Sequence, residues 1–129
     1  MLRGPGGAAG AEAASALRSD DVDAVAIQVD VADRASVEAM AASALDRFGR
    51  IDILVNCAGR IKRTKILDLP EEEWNGILET NLTGTLRACQ VFGRPMLERG
   101  SGRIVNIASL NSFVSFLEVA AYAASKAGV

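Results

Sequence analysis

A tyrosine and a lysine stand four positions apart in the segment AYAASKAGV at residues 121–129. On a helix, Tyr122 and Lys126 would share one face, because residues four apart are neighbours there. A lysine ammonium beside a phenol favours the phenolate form, which can exchange a proton with an alcohol or carbonyl oxygen. Ser109, thirteen residues before the tyrosine, could polarise the same oxygen. Taken alone, the spacing favours an amphipathic surface pair, so only the combination with other positions supports a chemical role.

Three short apolar runs could be the strands that position these residues. They are AVAIQV (24–29), IDILV (51–55) and RIVNIA (103–108). Helical segments separate the runs, which predicts right-handed strand–helix–strand units and a parallel sheet buried under helices on both faces. Ligands of such sheets bind beyond the carboxyl ends of the strands. The residues found there are Asp30, Val31, Asn56, Ala58, Gly59 and Ser109.

Each of these strand-end residues also has a purely structural explanation. Asp30 could cap or turn the chain, and Asn-x-Ala-Gly could be a tight turn that needs Gly59 at positive φ. Only the combination of positions favours a binding site.

Four helices are predicted around the strands. A short one begins near residue 11, and a second lies between the N-cap Asp33 and the terminating Gly49. Pro70 at the first helical position, followed by three glutamates, opens a long third helix, and a fourth begins near Val119. In the third helix Asn81 falls on the apolar face, which predicts a polar amide pointing into the core.

The composition predicts a single domain of 129 residues, half of them apolar. A net charge of -2 and the lack of long apolar runs indicate neither nucleic acid nor membrane as a partner. No metal site is predicted, because histidine is absent and Cys57 and Cys89 are far apart. We expect a reducing, cytoplasmic location. Residues 1–10, with four glycines and a proline, are predicted to be disordered.

Together, Asn56-Cys57-Ala58-Gly59, the inward-facing Asn81, Ser109 and the run Tyr122-Ala-Ala-Ser-Lys126 resemble the short-chain dehydrogenases/reductases. The resemblance implies an α/β fold with a Rossmann-type doubly wound parallel sheet. It also implies an oxidoreductase that uses NAD or NADP and transfers a hydride between the nicotinamide and a secondary alcohol or ketone. Cys57 stands where a second asparagine is more usual, and a tolerated, buried thiol is preferred to a redox role.

The resemblance also implies roles for individual residues. Tyr122 would be the catalytic acid/base, and Ser109 would hold the substrate oxygen. Lys126 would bind the nicotinamide ribose and favour the phenolate. Asn81 would distort its helix and hold a water that connects the lysine to solvent. The implied cofactor contacts are Asp30, Val31, Asn56, Ala58, Gly59, Tyr122 and Lys126.

The beginning of the sequence departs from the family pattern. Residues 4–9 spell G-x-G-x-x-A, but no strand precedes them and Pro5 lacks a backbone donor, so we reject this phosphate-binding match. Residues 11–129 are therefore expected to be an incomplete dinucleotide-binding domain, an interior piece of a longer protein. It would have three strands with flanking helices, without the first two and last two strands of the family. The segment that selects NAD or NADP is among the missing parts.

Two further expectations concern the sheet and the function. The strand at 24–29 either pairs directly with the strand at 51–55, giving three strands, or leaves unpaired backbone edges. The parent protein is expected to be a homodimer or homotetramer that acts on a small alcohol or ketone. The alternative is a catalytically silent remnant, or a module that only associates with other chains and cannot bind cofactor.

Only the run RIKRTK (60–65) bears on the substrate. Its four cations could bind a carboxylate or phosphate, although a solvated loop is the preferred interpretation. This run and IASLNSF (107–113) look similar to gluconate-type sugar-acid dehydrogenases, and 3-oxoacyl carrier protein reductases are a close alternative.

Overall fold

The structure is a computed structural model that describes residues 6–18 and 22–129. The chain divides into two compact units, residues 1–30 and residues 31–129. Within the described ranges, no helix combines the length and the apolar character that crossing a membrane requires.

The first unit contains one helix and an extended segment. Helix α1 spans Gly6–Arg18, so it begins earlier than predicted and residues 6–10 are helical rather than disordered. Residues 1–5 lie outside the described residues. The Arg18 Nε donates to the carbonyl of Ala24 at 2.7 Å, which holds the start of the extended segment.

The prediction of a strand at residues 24–29 is wrong. These residues carry no strand assignment, and the sheet of the described chain has two strands. An apolar run becomes a strand only when a neighbouring backbone pairs with it. The resemblance implies neighbouring strands for this run, and the described residues form none beside it. Of the two alternatives for the sheet, the unpaired edge is therefore the one observed.

The second unit is built on a parallel pair of strands. Strand β1 spans Ile53–Asn56 and strand β2 spans Arg103–Asn106. They pair in register, from Ile53 beside Arg103 to Asn56 beside Asn106. Both strands are shorter than the predicted runs. Because they are parallel and end level with each other, the segments that follow them leave from the same edge of the sheet.

Helix α2 spans Arg34–Phe48 and has both predicted ends. The Asp33 side chain accepts a hydrogen bond from the Ala35 N–H at 3.1 Å, as expected of an N-cap. Gly49 adopts a φ of 75° and its N–H donates to the Leu45 carbonyl at 2.8 Å. A left-handed residue at this point favours glycine because a Cβ would be strained there.

The predicted long helix is a continuous helical segment with an irregular middle. Helix α3 spans Glu71–Leu78, a π-helical segment spans Glu79–Thr83, and helix α4 spans Gly84–Arg99. Pro70 is the N-cap, one position before the predicted place. Asn81 lies in the middle of the π segment, and the Thr85 hydroxyl donates to its carbonyl at 2.7 Å. The helix distortion that the resemblance implies at Asn81 is thus confirmed.

Helix α5 spans Ala120–Gly128 and packs against α3 and the π segment, while α4 packs against α2 and both strands.

Side chains along β1 alternate between half-buried and exposed, which indicates one covered face. Ile53 and Val55 on the other face are 63% and 55% exposed. The prediction of strands buried on both faces is therefore wrong, because α4 covers only one face.

Candidate active site

Two asparagines end the paired strands side by side. The Asn56 Nδ2 donates to the Asn106 Oδ1 at 2.8 Å and lies 3.4 Å from the Cys89 Sγ. The role of Asn106 was not predicted, although the matching endings ILVN and RIVN were a usable signal. In an in-register parallel pair, equal positions lie next to each other. The amide of Asn56 is therefore fixed at the sheet edge from which the following turn departs.

Asn81 fastens that turn to the helices. It is completely buried. Its Oδ1 accepts from the Arg60 N–H at 2.8 Å, and its Nδ2 donates to the Arg60 carbonyl at 2.9 Å. The Nδ2 also donates to the Ser125 hydroxyl at 2.9 Å. One amide thus satisfies both backbone groups of a loop residue and joins the turn after β1 to α5.

Gly59 has no conformational reason to be glycine. It is absent from the glycines with positive φ, so the tight-turn explanation is not supported. A Cβ built on it would approach the Asn81 Oδ1 to 3.5 Å, which is ordinary van der Waals contact. Cys57 and Ala58 beside it are exposed, and the expectation that the Cys57 thiol is buried is wrong. The turn faces outward because the chain leaves the sheet here without a covering layer.

The cationic run after the turn is partly neutralised. The Arg60 guanidinium pairs with the Glu73 carboxylate, and the Lys62 ammonium lies 3.4 Å from the same carboxylate. A Cβ at Gly76 would come within 2.9 Å of the Arg60 Nη1, so this glycine makes room for the guanidinium. Glu73 was predicted only as a helix-opening residue. The ion pairs fix Arg60 and Lys62 against α3, which favours neither the anion-binding nor the freely solvated interpretation for them.

Ser109 follows β2 and begins a short turn. Its Oγ accepts from the Asn111 N–H at 3.2 Å, and the Ser112 Oγ accepts from the Ser109 N–H at 3.3 Å. The Ser112 hydroxyl also donates to the Lys126 carbonyl at 2.5 Å. Since the Ser109 oxygen accepts the hydrogen bond from Asn111, its hydroxyl proton can be given to another oxygen.

Tyr122 and Lys126 lie on one face of α5, as predicted. The Lys126 Nζ is 6.0 Å from the centroid of the Tyr122 ring. Lys126 is only 7% exposed, and its Nζ donates to the Ile107 carbonyl at 2.5 Å. An ammonium has three donors, so two others remain for a ligand. The segment from Ile107 to Ser112 thus contacts Lys126 at both its ammonium and its carbonyl.

The remaining predicted cofactor contacts are the last residue of the first unit and the first residue of the second unit. Val31 belongs to the second unit, where its carbonyl accepts from the Arg87 Nη1 at 3.2 Å and its side chain packs on Gly84. Asp30 is exposed and ends the first unit. Its role stays a prediction, as does that of Val31.

The sequence profile of the short chain dehydrogenase family matches residues 4–129. The chain belongs to this family. As a family member it is an α/β protein with a Rossmann-type fold, of which the structure contains one parallel strand pair and its helices.

Relatives and solved structures agree with the family assignment. The chain is 46% identical over 123 residues to a D-threitol dehydrogenase of Mycolicibacterium smegmatis, covering 95% of this chain and 47% of that protein. It is 38% identical over 107 residues to a 3-oxoacyl-[acyl-carrier-protein] reductase of Synechocystis, covering 83% and 43%.

Among solved structures, an actinorhodin polyketide ketoreductase variant with NADPH superimposes with a TM-score of 0.91 at 38% identity. The superposition covers 95% of this chain and 48% of that one. The chain spans about half the length of the relatives it matches.

Proposed function

We propose that the protein is a nicotinamide-dependent oxidoreductase in which Tyr122 exchanges the proton with the substrate oxygen. The observation that carries the proposal is the arrangement around Lys126. A buried ammonium shares a helix face with the tyrosine and is tied to the segment that begins with Ile107 and includes Ser109.

The residues present fit the nicotinamide half of NAD or NADP. Lys126 would offer its two remaining donors to the ribose hydroxyls. The exposed turn at Ala58 and Gly59, next to Asn56, would border the cofactor, because it follows the carboxyl end of β1. When bound, the nicotinamide supplies the acceptor or donor of the hydride. Asp30 and Val31 would contact the adenine, and the choice between NAD and NADP is open.

Tyr122 and Ser109 would then act on the same oxygen of the substrate. In the oxidation direction the alcohol proton passes to the Tyr122 Oη, and the Ser109 hydroxyl donates to the same substrate oxygen and holds it. Lys126 lies on the same helix face as Tyr122 and would hold the nicotinamide ribose beside the substrate oxygen. Asn81 keeps the turn after β1 in place through its side chain. The water that would link Lys126 to solvent could contact only the oxygen atoms of Asn81, since both hydrogens of its amide are used.

We propose a small polyhydroxylated alcohol or sugar acid as the substrate. The similarity to a D-threitol dehydrogenase supports this class, and the similarity to a 3-oxoacyl carrier protein reductase keeps an acyl ketone as the competitor. Turnover of D-threitol, gluconate, a 3-oxoacyl thioester and a steroid by the protein at its natural full length would separate them. Activity on the steroid alone would be incompatible with either class. A homodimer or homotetramer in the cytoplasm is part of the same proposal.

Replacing Tyr122 by phenylalanine tests the mechanism. In the protein at its natural full length, Tyr122→Phe should lower kcat/KM more than about a hundredfold, because it removes the transferable proton. Cofactor affinity should stay within about twofold, since the ring is kept. Lys126→Ala should lower both turnover and cofactor affinity. Retention of more than about a tenth of the activity in Tyr122→Phe, a loss below about 1.4 kcal/mol, would rule out the proton-transfer role.

The second candidate is a catalytically silent chain that associates with other chains. The exposed apolar side chains on the uncovered face of β1 favour it, since such surfaces mark contacts with other protein. Turnover and cofactor binding by the protein at its natural full length distinguish the candidates, because a silent protein would show neither.

A further inference from the structure

Ser125 is a completely buried serine between two residues of the candidate site. Its relative exposure is 0%, the same as that of Asn81. Its hydroxyl accepts from the Asn81 Nδ2 at 2.9 Å and donates to the Tyr122 carbonyl at 2.7 Å. Ser125 is therefore the hydrogen-bonded link between the π segment and the turn of α5 that begins with the tyrosine.

The donors and acceptors allow one arrangement of these protons. The Asn81 Nδ2 has two hydrogens, and they go to the Arg60 carbonyl and to Ser125. Its Oδ1 is used by the Arg60 N–H. The Ser125 oxygen must then receive a hydrogen from the amide and send its own to Tyr122. Within the described residues, no buried side-chain nitrogen or oxygen is left without a partner.

We infer that Ser125 is a positioning residue that couples the turn after β1 to Tyr122. The inference rests on the proposed function, since it concerns where the acid/base group lies relative to the turn that would border the cofactor. The connection runs from the Arg60 backbone through the Asn81 amide and the Ser125 hydroxyl to the Tyr122 carbonyl. Every link is a hydrogen bond of 2.9 Å or shorter. Small displacements of reacting groups cost large factors in rate, so such a link matters for turnover.

Ser43 is a useful comparison, because its hydroxyl bonds only to the backbone of its own helix. Ser43 in α2 donates to the carbonyl of Ala39 at 2.9 Å, but it is exposed. Its hydroxyl can be replaced by water, so its removal costs little. Removing the Ser125 hydroxyl leaves a buried amide hydrogen of Asn81 without an acceptor. The amide then gains the freedom to rotate and release Arg60. Ser43→Ala is the matched control for Ser125→Ala.

Amide hydrogen exchange tests the link without any enzymatic assay. In the 129-residue chain, Ser125→Ala should speed exchange at the Arg60 N–H about tenfold or more, whereas Ser43→Ala should leave it unchanged. Threonine and valine at position 125 have nearly the same shape, and only threonine keeps the hydroxyl. Ser125→Val should exchange at least as fast as the alanine variant, because it also lacks the hydroxyl and adds two methyl groups in a buried place. Ser125→Thr should exchange more slowly than Ser125→Val. Ser125→Cys, a weaker donor of similar size, replaces Ser125→Ala if that variant does not fold.

Kinetics of the protein at its natural full length test the positioning role. Ser125→Ala should lower kcat about tenfold at saturating substrate and cofactor while the substrate KM stays within about twofold. Ser125→Thr should retain more of kcat than Ser125→Val. A general loss of stability would instead lower the amount of folded enzyme in both variants alike.

Two results would overturn the inference. Unchanged Arg60 exchange in both Ser125→Ala and Ser125→Val would show that the hydroxyl does not hold the turn. Unchanged kcat in these variants, in a protein that Tyr122→Phe inactivates, would show that the link does not serve catalysis. If Tyr122→Phe stays active, the proposed function fails, and the positioning role fails with it even where the exchange result stands.

Discussion

Replacing Asn81 by alanine should be among the most destabilising single changes in the second unit. The substitution removes three side-chain hydrogen bonds, two to the Arg60 backbone and one to Ser125. A typical intramolecular hydrogen bond contributes about 1 kcal/mol net, so the loss should be about 3 kcal/mol. For an m-value of about 1.5 kcal/mol/M, this lowers the urea midpoint by about 2 M.

The only tryptophan of the chain provides the assay. Trp74 lies in α3, near the start of the helical segment that contains Asn81, so its fluorescence reports unfolding of this unit. Asn75→Ala is the matched control, because Asn75 is an exposed asparagine of the same segment. Its effect should stay within about 0.5 kcal/mol, as for other surface substitutions.

A third variant separates the hydrogen bonds from the volume of the side chain. Asn81→Asp keeps the acceptor for the Arg60 N–H but turns an oxygen toward the Arg60 carbonyl, so it should destabilise the unit at least as much as alanine. If Asn81→Ala cost less than about 1 kcal/mol, the three hydrogen bonds could not be what anchors the turn after β1.

Three further outcomes follow, two from the contacts of α4 and one from the rejected phosphate-binding match. Gly84→Ala should destabilise the second unit by about 1 to 3 kcal/mol in urea unfolding, because its Cβ would lie 2.9 Å from the Val31 Cγ2. A Cβ at Gly93 would lie 3.9 Å from the Ile104 Cδ1, so Gly93→Ala should stabilise the same helix by about 0.5 to 1 kcal/mol. Equal changes in the free energy of unfolding for the two variants would contradict the packing argument. By calorimetric titration, the 129-residue chain should bind neither NADH nor NADPH with a dissociation constant at or below about 100 µM, because residues 6–18 and 22–129 form no glycine-rich strand–turn–helix that could hold a pyrophosphate. Tighter binding would contradict the expectation of an incomplete cofactor site.

The features that the sequence predicted well are local or periodic. The ends of α2 depend on the short polar side chain of Asp33 and the left-handed conformation of Gly49, which are properties of single residues. The inward direction of Asn81 follows from the position of one residue on a helical face. The shared face of Tyr122 and Lys126 follows from the same periodicity.

The features that were missed depend on partners far away in the sequence. The apolar run at 24–29 has the composition of a strand, but pairing is decided by neighbouring backbone and not by the run itself. Arg60 belongs to a run of cations that looks solvated, yet Glu73 reaches it from α3. The role of Ser125 could not be predicted from its place in the motif, because it depends on a hydrogen bond from the Asn81 amide, 44 residues away in the sequence.

The π segment allows the apolar faces of α3 and α4 to point in different directions. Each residue of an α-helix turns the chain by about 100°, so the wider turn at Glu79–Thr83 changes the angular phase of α4 relative to α3. The first part can then present its apolar side to α5 while the second presents its own to α2 and the strands. The number of residues in the π segment therefore sets the angle between the apolar faces of α3 and α4. A one-residue deletion within it would rotate every buried side chain of α4 away from its layer.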